Sequence, residues 1–158
     1  MKALLTLTLI ISCIYVKAQD KTTLQLIDGK IIYERVGIVD SVSSEQIHER
    51  VLNWIGSTFK SAEAVISSET ASRIVGDFTI MHDNGIAGTD FTHRVTIDIK
   101  EGRFKFTINA HELSGWVAKN KNTEWRTHYA AMKTRVENDL NLIFKDLLAE
   151  VSTNSKDW

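Results

Sequence analysis

The sequence predicts an α+β fold of two layers, in the order β-α-β-β-β-β-α, with two helices on one face of a curved antiparallel sheet. Three observations lead there. Residues 91–111, FTHRVTIDIKEGRFKFTINAH, alternate apolar and polar side chains about Glu101-Gly102, the signature of a hairpin with one greasy face. Ile47, Val51, Trp54, Ile55 and Phe59 recur at three and four residues, the stripe of a helix that packs on a sheet. A longer stripe of the same kind runs from Trp125 to Val151.

Ahead of these elements stands a targeting segment. Lys2 is followed by an uncharged apolar run from Ala3 to Val16 and then by Val16-Lys17-Ala18, the pattern of a secretory signal peptide cut after Ala18. The run is short for a membrane span, so no transmembrane anchor is expected after cleavage. Ile10-Ile11-Ser12-Cys13 loosely matches the box before a lipidated cysteine, but Ile14, Tyr15 and Val16 carry the greasy run past Cys13, which favours plain secretion. The expected divisions are a signal peptide at 1–18 and a single domain at 19–158, with a polar tail from about 152. The expected location is the periplasm or the extracellular space.

Cys13 is the sole cysteine, so an exported chain that loses it has no disulfide and relies on its core. Loss of Lys2 and Lys17 leaves 17 basic residues against 20 acidic ones. A chain with no basic excess is a poor ligand for a phosphate backbone, and nucleic acid is not an expected partner. There is no proline and no repeat or low-complexity tract to mark a linker.

In order, 20–28 is a polar lead-in ending at Asp28-Gly29, and 30–40 reads as a strand. Its facing is ambiguous, because Ile32, Val36, Ile38 and Ile31, Tyr33, Val39 are both apolar sets, and Gly37 hints at a bulge. Ser43 with Gln46 three residues on forms a capping box for the first helix, in which Trp54 is core. A short strand is expected at 64–68. A better one follows at 73–82, with Ile74, Phe78 and Ile80 opposing Val75, Asp77, Thr79 and Met81. A glycine-containing loop spans 83–90, and 112–122 is an irregular connection carrying Trp116. Asn122 or Thr123 can cap the last helix, expected from Glu124 to about Val151. Its stripe of Trp125, Tyr129, Met132, Val136, Leu140, Ile143, Leu147 and Val151 has a mean spacing of about 3.7 residues, which marks a straight helix and not a coiled coil.

Burial fixes the register of the hairpin. With Ile99 opposite Phe104, Ile97 opposite Phe106 and Val95 opposite Ile108, every apolar side chain shares one face. The other face then carries Arg94 opposite Asn109, Thr96 opposite Thr107 and Asp98 opposite Lys105, with Thr79 and Met81 extending it.

Asp28-Gly29-Lys30-Ile31-Ile32-Tyr33, the helix with Trp54 and Phe59-Lys60-Ser61, the Gly76 strand and the hairpin 96–104 together resemble a bacterial family of secreted domains of unknown function. That resemblance implies a fold like one repeat of the TATA-box-binding protein (TBP), with the same order of strands and helices. It brings no catalytic residue and no DNA binding, since a fold does not carry a function.

Chemistry is sparse. The five histidines form no His-x-x-x-His pair, and a bracket of His82, Asp83, Asp90 and His93 is weaker as a metal site than as turn acids beside a core-edge His93. No cofactor and no metal is expected. Ser114-Gly115 lacks the strand-to-helix setting of an exposed nucleophile. The candidate site is therefore the open sheet face and its rim: Arg94, Thr96, Asp98, Lys105, Thr107, His111 and Trp116. The function this suggests is an exported, non-enzymatic binding module of the bacterial cell envelope, for another envelope protein, a peptide, a small ligand or a second copy of the chain. The alternative is a small secreted enzyme using His111 with Asp98 or Glu112.

Overall fold

A computed structural model describes residues 24–27, 30–59, 65–83, 88–110 and 123–153. Their elements are β1 (Gln25–Ile27), β2 (Lys30–Ile38), α1 (Ser44–Thr58), β3 (Ile66–Thr70), β4 (Arg73–Asp83), β5 (Gly88–Lys100), β6 (Arg103–Asn109) and α2 (Thr123–Ser152). The strands form one antiparallel sheet in the order β1-β2-β6-β5-β4-β3. After β2 the chain crosses the sheet by way of α1 to the far edge, then returns strand by strand until β6 pairs with β2. Both helices lie on one face, which is the two-layer α+β arrangement expected.

Helix α1 begins where its capping box requires. Ser43 Oγ accepts from the Gln46 amide and Gln46 Oε1 accepts from the Ser43 amide, so two donors that the first turn leaves unpaired are satisfied. Its stripe of Ile47, Val51, Trp54 and Ile55 is buried. From residue 133 on, the part of α2 whose side chains are described, the buried residues are Val136, Leu140, Phe144, Leu147 and Val151, and Trp125, Tyr129 and Met132 of the expected stripe lie outside it. Phe144 thus takes the inward place that spacing gave to Ile143, which is only partly buried, and it meets the rings of Phe104 and Phe106 at centroid distances of 5.9 and 6.1 Å. Each such aromatic removed from water contributes about 1.5–3 kcal/mol.

Polar groups orient the helices where apolar packing alone would let them slide. Trp54 Nε1 donates to Asp146 Oδ2 at 2.9 Å, and Arg50 donates to the Val151 carbonyl at 2.6 Å, joining α1 to α2. Tyr33 Oη and Arg35 Nη1 both donate to Asn141 Oδ1 at 2.9 Å, which ties β2 to α2, while the Arg35 guanidinium lies 4.7 Å above the Phe144 ring.

The lead-in contains a short strand, β1, so the sheet has six strands. The strand expected at 64–68 is Ile66–Thr70, and the strand at 73–82 runs to Asp83. The facing of β2 is resolved in favour of Ile31, Tyr33 and Val39 as the buried set. Gly37 is no bulge, since the β2–β6 register runs unbroken through it. It is there because a Cβ would collide with the ring of Phe104. His93 is fully buried among the core residues, not at their edge.

Candidate functional site: the open sheet face

The face away from the helices is organised by strand register into rows that cross β2, β6, β5 and β4. One row is Ile32, Asn109, Arg94 and Asp77; the next is Glu34, Thr107, Thr96 and Val75; a third is Val36, Lys105, Asp98 and Arg73; the last is Ile38, Arg103 and Lys100. Every hairpin pairing expected from the sequence is present. Arg94, Thr96, Asp98, Lys105 and Thr107 are thereby brought together on this face. His111 and Trp116, with Glu112, lie outside the described residues.

The rows differ in how their charges are matched. Arg94 grips Asp77 with two bonds, Nε to Oδ1 at 2.9 Å and Nη2 to Oδ2 at 2.6 Å. The hydrogen bonds from Arg94, with its charge, hold the Asp77 carboxyl below the usual range, and the same bonds raise Arg94. Asp98 accepts from Arg73 Nε at 2.5 Å, and Lys105 Nζ lies 3.9 Å away on its other side. The expected Asp98–Lys105 pair is therefore the weaker of two, and Arg73 is a neighbour that only the β4–β5 register discloses. Glu34 accepts from Lys105 at 3.5 Å and from Thr107 at 3.3 Å. Asp77 and Asp98 share the face, yet each carboxylate is occupied by a different arginine, so they do not converge as an acid-base pair.

The last row has no carboxylate. Lys100 and Arg103 face each other directly across the turn, and neither is in an ion pair with any described residue. The adjacent acid, Glu101, is turned aside and accepts from the Ser44 amide at 3.2 Å, at the start of α1. Gly102, with φ 67°, lets the turn tuck against the segment before α1: its amide donates to the Val42 carbonyl and its carbonyl accepts from Val39. Beside this row, Val36 and Ile38 are 56% and 63% exposed, unusual for branched aliphatics in a strand.

A concavity of about 710 Å³ is lined by Val36, Arg73, Asp98, Lys100, Arg103 and Lys105 among others, and Ile38 lies outside that lining. That volume is within the range of small-ligand sites. Four cations meet one carboxylate there, so the site favours negative charge. Val36, Arg73, Lys100 and Arg103 were absent from the residues picked out by sequence. The signal for two of them was present in the hairpin register itself, which sets Lys100 opposite Arg103.

Among solved structures, the chain is similar to a TBP-like protein from Parabacteroides distasonis ATCC 8503, with a TM-score of 0.66 and 12% identity, over 84% of this chain and 99% of that one. The fold is TBP-like. A DUF4468 family protein from Bacteroides ovatus ATCC 8483 shares the TBP-like fold with a TM-score of 0.59 and 14% identity, over 85% of this chain and 94% of that one. At these identities the likeness concerns the fold alone. No sequence-family profile and no curated protein matches the chain. No helix among the described residues is long and apolar enough to cross a membrane.

Proposed function

We propose that the chain is an exported, non-enzymatic binding module of the bacterial cell envelope, and that it binds through the open face of its sheet at the end bounded by the β5–β6 turn. Support for export is the leader at 1–18, with its single early cation, apolar run and small residue at the cleavage point. One observation carries the choice of surface. The charges of Arg94, Asp77, Arg73 and Asp98 are satisfied within the sheet, whereas Lys100 and Arg103 have no ion-pair partner among the described residues, line a concavity together with exposed Val36, and have exposed Ile38 beside them. Natural sheets tolerate a solvated polar face, but unpaired cations beside exposed aliphatics in a hollow form a surface suited to a ligand. Of the two acids in the enzyme alternative, Asp98 is engaged by Arg73 and Lys105, while Glu112, like His111, lies outside the described residues.

Methyl NMR of the protein with and without a soluble extract of the cell envelope tests this. Resonances of Val36 and Ile38 are expected to shift, while Leu142, exposed on the opposite, helical side, stays in place. No shift, or a shift at Leu142 alone, refutes the reading. Mass spectrometry of protein recovered from the envelope is expected to find a chain beginning at Gln19.

A further inference from the structure

We infer that the concavity at the β5–β6 turn takes a small, soluble, single-chain amphiphilic anion, a carboxylate or phosphate head on an aliphatic body; this rests on the reading of the open face as the binding surface. Lys100 and Arg103 hold the head, and the body lies over Ile38 and Val36.

The head is placed by the charges left over when every other pairing on the face is made. Asp98 is taken up by Arg73 and Lys105, Glu34 by Lys105 and Thr107, Asp77 by Arg94, and Glu101 by the Ser44 amide. Lys100 and Arg103 remain, opposite each other on neighbouring strands. Like charges in that arrangement repel and destabilise the hairpin unless an anion lies between them. The Arg103 guanidinium offers a planar fork that matches a carboxylate or phosphate with two bonds, and Lys100 adds a point charge.

The body is placed by the next strand. Ile38 is in register with Arg103, and Val36 with Lys105, so the two exposed aliphatics stand one strand beyond the cations. Strands lie about 4.8 Å apart, which sets the distance from Lys100 across β6 to Ile38 at about 10 Å, the reach of a short alkyl chain. The concavity of about 710 Å³ is lined by Lys100, Arg103 and Val36, and Ile38 adjoins it through its register with Arg103. A bilayer or a nucleic acid would need an extended basic surface, and here the remaining rows are neutralised while the chain's formal charge is −1.

The test is a titration of the full mature chain, followed by methyl and amide NMR, with octyl phosphate and octanoate below their micelle concentrations. Inorganic phosphate and octan-1-ol serve as half-ligands. Both amphiphiles are expected to shift Val36 and Ile38 saturably, and each half-ligand to bind at least tenfold more weakly. The variant Lys100→Gln with Arg103→Gln is expected to fold at least as stably as the parent and to lose at least tenfold in affinity. Arg94→Gln, on a neutralised row, leaves affinity unchanged. Phosphate binding as tightly as octyl phosphate, octanol binding as tightly as octanoate, or full affinity in the double variant would each overturn the inference. So would sedimentation with phosphatidylglycerol vesicles in the absence of octyl phosphate binding. If neither amphiphile binds while envelope extract still moves Val36 and Ile38, the ligand class is wrong and the binding face stands. If nothing moves them, both fall.

Discussion

The two faces of the β5–β6 hairpin come from alternate residues of the same strands, yet they solve opposite problems. On the helix side, Val95, Ile97, Ile99, Phe104, Phe106 and Ile108 are all buried, and Trp54 Nε1 and Tyr33 Oη, which enter the helix layer, donate to Asp146 and Asn141. On the open side charges are matched within and between neighbouring rows, Lys105 reaching Glu34 in the next row, until the turn is reached, where Lys100 and Arg103 face each other with two exposed aliphatics alongside. A face optimised only for stability would place a carboxylate in that last row. The difference separates residues that hold the fold together from residues free to serve a ligand.

The largest expected effect falls on the sealed side. Phe106→Ala removes a ring packed edge-on against Tyr33 and beside Phe144. It should lower stability by about 3–5 kcal/mol in urea unfolding, whereas Thr107→Ala, one residue on and facing outward, should change little. Equal losses would erase the distinction between the faces. A smaller effect is expected at Gly76, where an added Cβ would sit 2.6 Å from the Val65 carbonyl oxygen. Because backbone yields less readily than a side chain end, Gly76→Ala should cost about 1–3 kcal/mol and loosen β3 from β4, visible as faster amide exchange at Ile66–Thr70.

On the open side the effects are small and depend on pH. Asp77 has a depressed carboxyl pKa in the folded protein because Arg94 bonds its charged form, so its contribution is complete above the ordinary value of 3.8 and fades as pH falls from there through the folded value. Asp77→Asn should therefore be slightly less stable than the parent at neutral pH, with the gap closing in strongly acidic buffer. A gap that widens as pH falls would show that Asp77 acts through something other than this pair.

Much of the fold was legible in the sequence because burial leaves the hairpin a single register: a slip of one residue sets Ile97 opposite Lys105. The capping box of α1 was equally legible, being local. Strand β2 was not, because both of its faces are apolar. The inward set includes Gly37, where a Cβ would collide with the ring of Phe104 on a strand far away in sequence, a contact that sequence alone does not reveal. That ambiguity also concealed part of the site, since exposed Val36 and Ile38 could be recognised only once Ile31, Tyr33 and Val39 were known to be inside. The pairing of Arg73 with Asp98 required the β4–β5 register, which sequence patterning left open. Lys100 opposite Arg103 was implied by the hairpin alone, as was Asp98 opposite Lys105, and only the surrounding strands show that the first pair is the unmatched one.

The division of the open face into matched rows and one unmatched row is tested most directly by the coupling between Lys100 and Arg103. A double-mutant cycle with Lys100→Gln and Arg103→Gln in the ligand-free protein should give a repulsive coupling of roughly 0.2–1 kcal/mol, shrinking as salt is added. A coupling of zero, or an attractive one, would contradict the account.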